Sequence, residues 1–305
     1  MSNAPLQMSF PNFGSRFRDF LNDREAQVRL ARQIGAVTRM SVRRYLFTRY
    51  MWVLFYLGAI PVVLVTCQLI RALFLNVSAG YFVANWMPPA DVNVFLQVLF
   101  RFLYIHFIIF WVATLFGFSL LRQEIDDQTL HYLFLQPIGR PTVILSKFLG
   151  FLAVTWIYLS ATFLFSYFAL MAPHGIKGIS GDLFEAGRAL TLIKECFIML
   201  LALAMYGSIS MVLGSIFKSS GAGLLFYMWE GVVPWLPSTL KFFTISHYLQ
   251  ALTPERSVIP RKAFELLGDL PSGLRCSVTL SLVLAAMIII TVFLVRRREC
   301  VYSVS

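Results

Sequence analysis

Six long, nearly unbroken apolar runs constrain this chain more than any other feature. They fall at about 51–70, 94–121, 148–171, 196–217, 221–236 and 277–295. A helix needs about 20 apolar residues to cross a hydrocarbon core about 30 Å thick. Within that core only a helix satisfies its own backbone hydrogen bonds, unless strands close into a barrel. Barrel strands alternate in polarity over about ten residues, and these runs do not. The expected fold is therefore all-α, a polytopic membrane protein with six transmembrane helices. Composition agrees: 58 % of the residues are hydrophobic and only 13 % are charged, where a soluble domain carries roughly a quarter charged. The 221–236 run is the poorest, since Glu230 falls inside it and Pro234 and Pro237 stand inside or against it.

Charge sets the expected orientation. Six spans put both termini on one side together with Arg122, Arg140, Lys147 and Lys218. By this count that side holds about 16 of the 26 Lys and Arg residues and the other about 9, with Arg101 left inside a span. The positive-inside rule then makes the N and C termini cytoplasmic. Topology accounts for most of the net charge of +11, so no nucleic-acid partner is expected. Three regions follow: a cytoplasmic N-terminal segment, 1–50; a transmembrane domain, 51–295; and a cytoplasmic tail, 296–305. From Ala26 to Tyr50 apolar residues recur at helical spacing among arginines. The pattern predicts a basic amphipathic helix at the inner membrane surface, with Arg43, Arg44 and Arg49 near acidic lipid headgroups. A plain positive anchor for the first span is an equally good account.

The second and third runs are joined by a polar segment, 122–147. Glu124, Asp126 and Asp127 precede Gln128 and Thr129, which suits the first turn of a helix, where carboxylates meet the positive end of its dipole. Leu130, Leu133 and Phe134 then share one face. Pro137 halts the helix, Gly139 allows a turn, and Pro141 suits the first turn of the next helix. A short amphipathic helix between two spans is a part that another protein can push.

Polar residues inside the spans are few. Glu230 lies about 14 Å along the fifth span. A carboxylate there is expected to be neutral, paired or facing water. It either lines a route or gate, or makes a structural bond to a neighbouring helix, and both readings stay open. His106 is expected to be a hydrogen-bonded packing residue, and Arg101 to snorkel towards the outer surface. Gly207, Ser210 and Gly214 recur on one face of the fourth span, which suits close helix–helix contact, intramolecular first. The four cysteines are scattered, so no metal site or disulfide framework is implied. The chain has no phosphate-binding loop, no His-Glu-x-x-His pair and no Gly-x-Ser-x-Gly elbow. No catalytic residues, no resident cofactor and no enzyme activity are expected of it.

The 122–147 segment resembles the cytoplasmic signature of type-2 ATP-binding-cassette (ABC) permeases, the membrane subunits of bacterial ABC exporters. The likeness is carried by Glu124, the Thr129-Leu130 pair, Leu133 through Pro137-Ile138, Arg140 and Lys147. The doubled Asp126-Asp127 is more acidic than the usual pattern. The resemblance implies a permease in the bacterial inner membrane whose energy comes from ATP bound by a separate ABC ATPase subunit. It implies two permease copies, alike or different, in the working complex. It also makes the helix between spans two and three a coupling helix, with Leu130, Leu133 and Phe134 buried in the ATPase and Glu124 and Arg140 at the rim. The alternative is a stand-alone channel or assembly factor in which that segment is only an inner loop.

Overall fold

The computed structural model describes residues 24–46, 49–77, 88–126, 140–217, 221–232, 244–253 and 272–297. These residues are helical almost throughout, with no strand among them. The helices are α1 (Arg24–Leu46), α2 (Arg49–Val77), α3 (Pro89–Val98), α4 (Phe110–Asp126), α5 (Arg140–Met171), α6 (Gly175–Ser180), α7 (Arg188–Ile216), α8 (Gly221–Val232), α9 (Ile245–Leu252) and α10 (Gly273–Arg297). A π-helical stretch, Leu99–Ile109, joins α3 to α4 without a break. Five helical segments are long and apolar enough to cross a membrane: Met51–Arg71, Asp91–Leu120, Pro141–Glu185, Arg188–Ile216 and Gly273–Leu294. The remaining expected span is described only as α8, whose 12 residues rise about 18 Å and fall short of a crossing.

Several boundaries differ from the sequence expectation, and two of them have a clear local reason. The second span begins at Pro89, which serves as a first-turn residue that gives up no hydrogen bond. The fourth begins at Arg188, well before Cys196. Lys194 and Glu195 look like an aqueous boundary in sequence. Glu195 instead turns inward, two helical turns from Arg188, and the two side chains pair at 3.4 Å with 3 % and 1 % exposure. The opposite charges cancel inside the helix bundle, so α7 gains its first two turns.

The centre of the bundle is the crossing of α4 with α7, where glycines bring backbone against backbone. A Cβ on Gly117 would lie 2.8 Å from the Gly207 carbonyl oxygen, and one on Gly214 would lie 2.5 Å from that of Phe118. Without a hydrophobic force between helices in lipid, such close approach supplies the dispersion contact that holds spans together. Gly207, Ser210 and Gly214 thus form an intramolecular seam. Around it pack aromatic rings: Phe110 on Tyr206 with centroids 5.2 Å apart, and Phe163 on both Phe100 and Tyr104 at 5.3 Å. Trp156 Nε1 donates to the Cys196 carbonyl at 2.9 Å and Tyr158 to that of Phe55 at 2.8 Å, tying α5 to α7 and α2. The exposed faces of α2 and α10 carry Trp52, Tyr56, Leu282 and Ile289, as helices bordering acyl chains should.

Helix α1 lies against the start of α5. Ile34, Val37, Thr38, Ser41 and Val42 form the covered stripe, whereas Arg32, Arg39 and Arg43 line the exposed face. Thr38 Oγ1 donates to the Ser146 carbonyl at 3.2 Å, and a Cβ on Gly150 would stand 3.3 Å from that of Ser41. Part of the amphipathic stripe is therefore satisfied by protein. Val28 and Met40 point away from it and stay exposed.

Candidate functional site

The expected coupling segment spans the end of α4 and the start of α5. Glu124 lies in the last turn of α4 and Arg140 opens α5. Thr129, Leu130, Leu133, Phe134 and Pro137 lie outside the described residues. The two helices that flank the segment are firmly held. The glycine seam fixes α4 to α7, and α5 is braced by α1 on one side and by Tyr158 against α2 on another. Of the three arginines expected at the headgroups, Arg43 is exposed, Arg44 belongs to α1 and Arg49 opens α2.

Two of the polar residues inside the spans, Glu230 and His106, both reach one short helix, α9. The Glu230 carboxylate is only 6 % exposed. Its Oε1 accepts the Ile245 N–H at 2.9 Å and its Oε2 the Ser246 N–H at 3.3 Å. Tyr206 of α7 stands beside the same carboxylate. The first amides of any helix lack intrahelical partners and carry partial positive charge. Glu230 is thus an N-cap supplied from a different helix. The residue in the cap position, Thr244, makes no side-chain cap of its own.

His106 sits in the π-helical stretch, where residues four and five apart share a face: Phe100, Tyr104 and Ile108 are buried together with Arg101, Ile105 and Ile109. Its Nδ1 lies 2.7 Å from the Arg101 carbonyl oxygen and its Nε2 lies 2.9 Å from Gln250 Nε2 on α9. A carbonyl only accepts, so Nδ1 carries the proton and Nε2 accepts from the Gln250 amide. Arg101, expected to snorkel, is 5 % exposed and sits within the bundle. The π winding turns it among neighbouring helices rather than along the lipid face.

A second polar cluster joins the ends of the spans away from the 127–139 connection. Asp182, in the π-helical turn Gly181–Glu185 that follows α6, accepts from Asn93 Nδ2 at 2.9 Å and from the Tyr167 hydroxyl at 2.8 Å. The buried Arg188–Glu195 pair stands on the adjoining helix. Among the described residues no three His, Cys, Asp or Glu side chains gather as a metal site would require.

Sequence reasoning found Glu230 and His106 but missed the α9 amides that the first accepts from, Gln250 that meets the second, and the Asn93–Asp182–Tyr167 set. None of these bonds is local, and Gln250 lies 144 residues from His106. A lone polar residue on a short helix gives no periodic signal that would reveal such a bond.

Apolar helices of membrane-crossing length, packed through small residues and bearing a buried ion pair, define a multi-pass membrane protein. Its family follows from comparison with known sequences: the chain belongs to the family described as ABC-2 family transporter protein, whose profile matches residues 25–296. No curated protein matches the chain. Membership makes it a membrane permease of an ABC transporter, a transport subunit that is not itself catalytic, and implies an ABC ATPase subunit as partner.

Proposed function

We propose that this chain is the membrane half of an ATP-driven exporter, and that a separate ATPase subunit drives it through the 127–139 connection. The observation that carries the reading is the family match over 25–296, which takes in that connection and both helices that flank it. The connection joins α4, zipped to α7 by backbone contact, to α5, braced by α1. A push delivered there moves packed helices rather than a loose loop, and coupling needs such a contiguous element. Leu130, Leu133 and Phe134 supply the apolar contact to the ATPase, with Glu124, Thr129, Pro137 and Arg140 shaping its edge. The connection and both termini face the cytoplasm, where Arg43, Arg44 and Arg49 meet acidic headgroups. Two permease copies complete the transporter in a bacterial inner membrane.

The test is co-purification. Wild-type protein extracted from native membrane brings down an ATPase subunit. Leu133→Asp and Phe134→Asp still insert at wild-type level but lose the ATPase and transport. Full ATPase recovery with both variants removes the docking role.

A further inference from the structure

Helix α9 is held at its two ends by different parts of the bundle. Its N-terminal amides rest on Glu230 of α8, and its last turn is bound through Gln250 to His106 on the span that leads down to the 127–139 connection. The level of this second contact is fixed by Tyr104, two residues away from His106. Tyr104 meets Thr162 and Phe163, which lie past the midpoint of α5 as measured from Arg140. The contact therefore stands in the half of the membrane farther from the connection.

The His106 ring cannot swing independently of its helix. Its Nδ1–H is anchored 2.7 Å from the Arg101 carbonyl of the same π-helical stretch, so the ring moves as part of the span. Gln250 is then a follower of that span. Leu249 beside it is fully buried, and Ile245 and Ala251 are buried as well, so α9 moves as a packed unit. With 8 residues it is about 12 Å long, too short to bend between its two attachments.

We infer that the His106–Gln250 hydrogen bond is a tie that carries displacement of the second span across the membrane to α9. His106 and Gln250 are positioning residues for transport, and α9 is the element that responds at the far side. The inference rests on the proposed docking of an ATPase at 127–139. When α4 is driven from below, α9 is drawn at Gln250 while Glu230 restrains its other end. The short helix rotates about its capped N-terminus, and the far side of the bundle opens or closes with it.

The experiment is amide hydrogen exchange on the full permease–ATPase complex in lipid nanodiscs, nucleotide-free and trapped with Mg-ATP and vanadate. In wild type, α9 amides differ between the two states by about fivefold, the scale set by one net hydrogen bond. Gln250→Leu and His106→Leu each erase that difference, and the double variant is no worse than either single. All three variants retain ATPase co-purification and the nucleotide response of 127–139. In the permease alone, Gln250→Leu speeds exchange of the last α9 turn by about fivefold. The tie is overturned if α9 does not respond in wild type beside a responsive 127–139 segment. It is equally overturned if α9 still responds in the variants, or if Gln250→Leu leaves exchange of the isolated permease unchanged. Failure of the wild-type ATPase to co-purify strikes instead at the docking reading, and the exchange of the isolated permease still judges the bond.

Discussion

Replacing Gly214 with alanine tests the seam on which the bundle's rigidity rests. The added Cβ would stand 2.5 Å from the Phe118 carbonyl oxygen and 3.0 Å from its Cα, whereas ordinary contact begins at 3.4 Å. Both obstructing atoms are backbone, so no rotamer change relieves them. Helices α4 and α7 must separate by about 1 Å, and a gap of that size forfeits a quarter to a half of each dispersion contact along the crossing. Overpacking of this kind costs about 2–3 kcal/mol, which lowers the melting temperature by about 3–5 °C in a chain of this size. Thermal unfolding of the detergent-solubilised permease, followed by loss of the monodisperse peak on size exclusion, reads the change. Gly35→Ala on α1 is the matched control. Nothing lies within 4 Å of its added Cβ, so only the helix propensity gain of about 0.5–1 kcal/mol remains and the melting temperature holds or rises. Melting of Gly214→Ala within about 1 °C of wild type would refute the backbone contact.

Two further outcomes bear on the buried polar groups. Glu230→Gln keeps one acceptor for the α9 amides, whereas Glu230→Leu strands both at about 1–3 kcal/mol each; limited proteolysis should cut near α9 in the leucine variant and spare the glutamine one, and equal protection in both argues against the cap. Arg188→Met leaves Glu195 buried without its cation, at about 3–5 kcal/mol. The double change Arg188→Met with Glu195→Leu recovers most of that loss in the same melting assay, and an equally unstable double variant would discount the ion pair.

The extent of what the residues reveal in advance follows the range of the forces involved. Long apolar runs report a helix because every residue in them contributes to one transfer free energy, and five such helices stand near where the runs fall. The small-residue face of α7 was legible for the same reason, since Gly207, Ser210 and Gly214 repeat with the helix. Boundaries were less legible: Lys194 and Glu195 read as water-facing until Arg188 is seen to neutralise the glutamate inside the bundle. The partners of Glu230 and His106 were not legible at all. A remote cap on α9 and a single amide on Gln250 leave no pattern along the chain, because the bond depends on where three helices meet. The amphipathic stripe of α1 is legible from its spacing, but not that the start of α5 covers part of it, at Thr38 and Ser41. Periodicity identifies an apolar face without saying what covers it.

The cap on α9 also bears on the order in which the molecule is made. Eight residues with no side-chain cap of their own are too few to hold a helix in isolation. Both of the side chains that secure this one, His106 and Glu230, leave the ribosome before it does. Helix α9 is thus a product of the finished assembly rather than one of its founders, and its shape is a readout of whether the earlier spans have found one another.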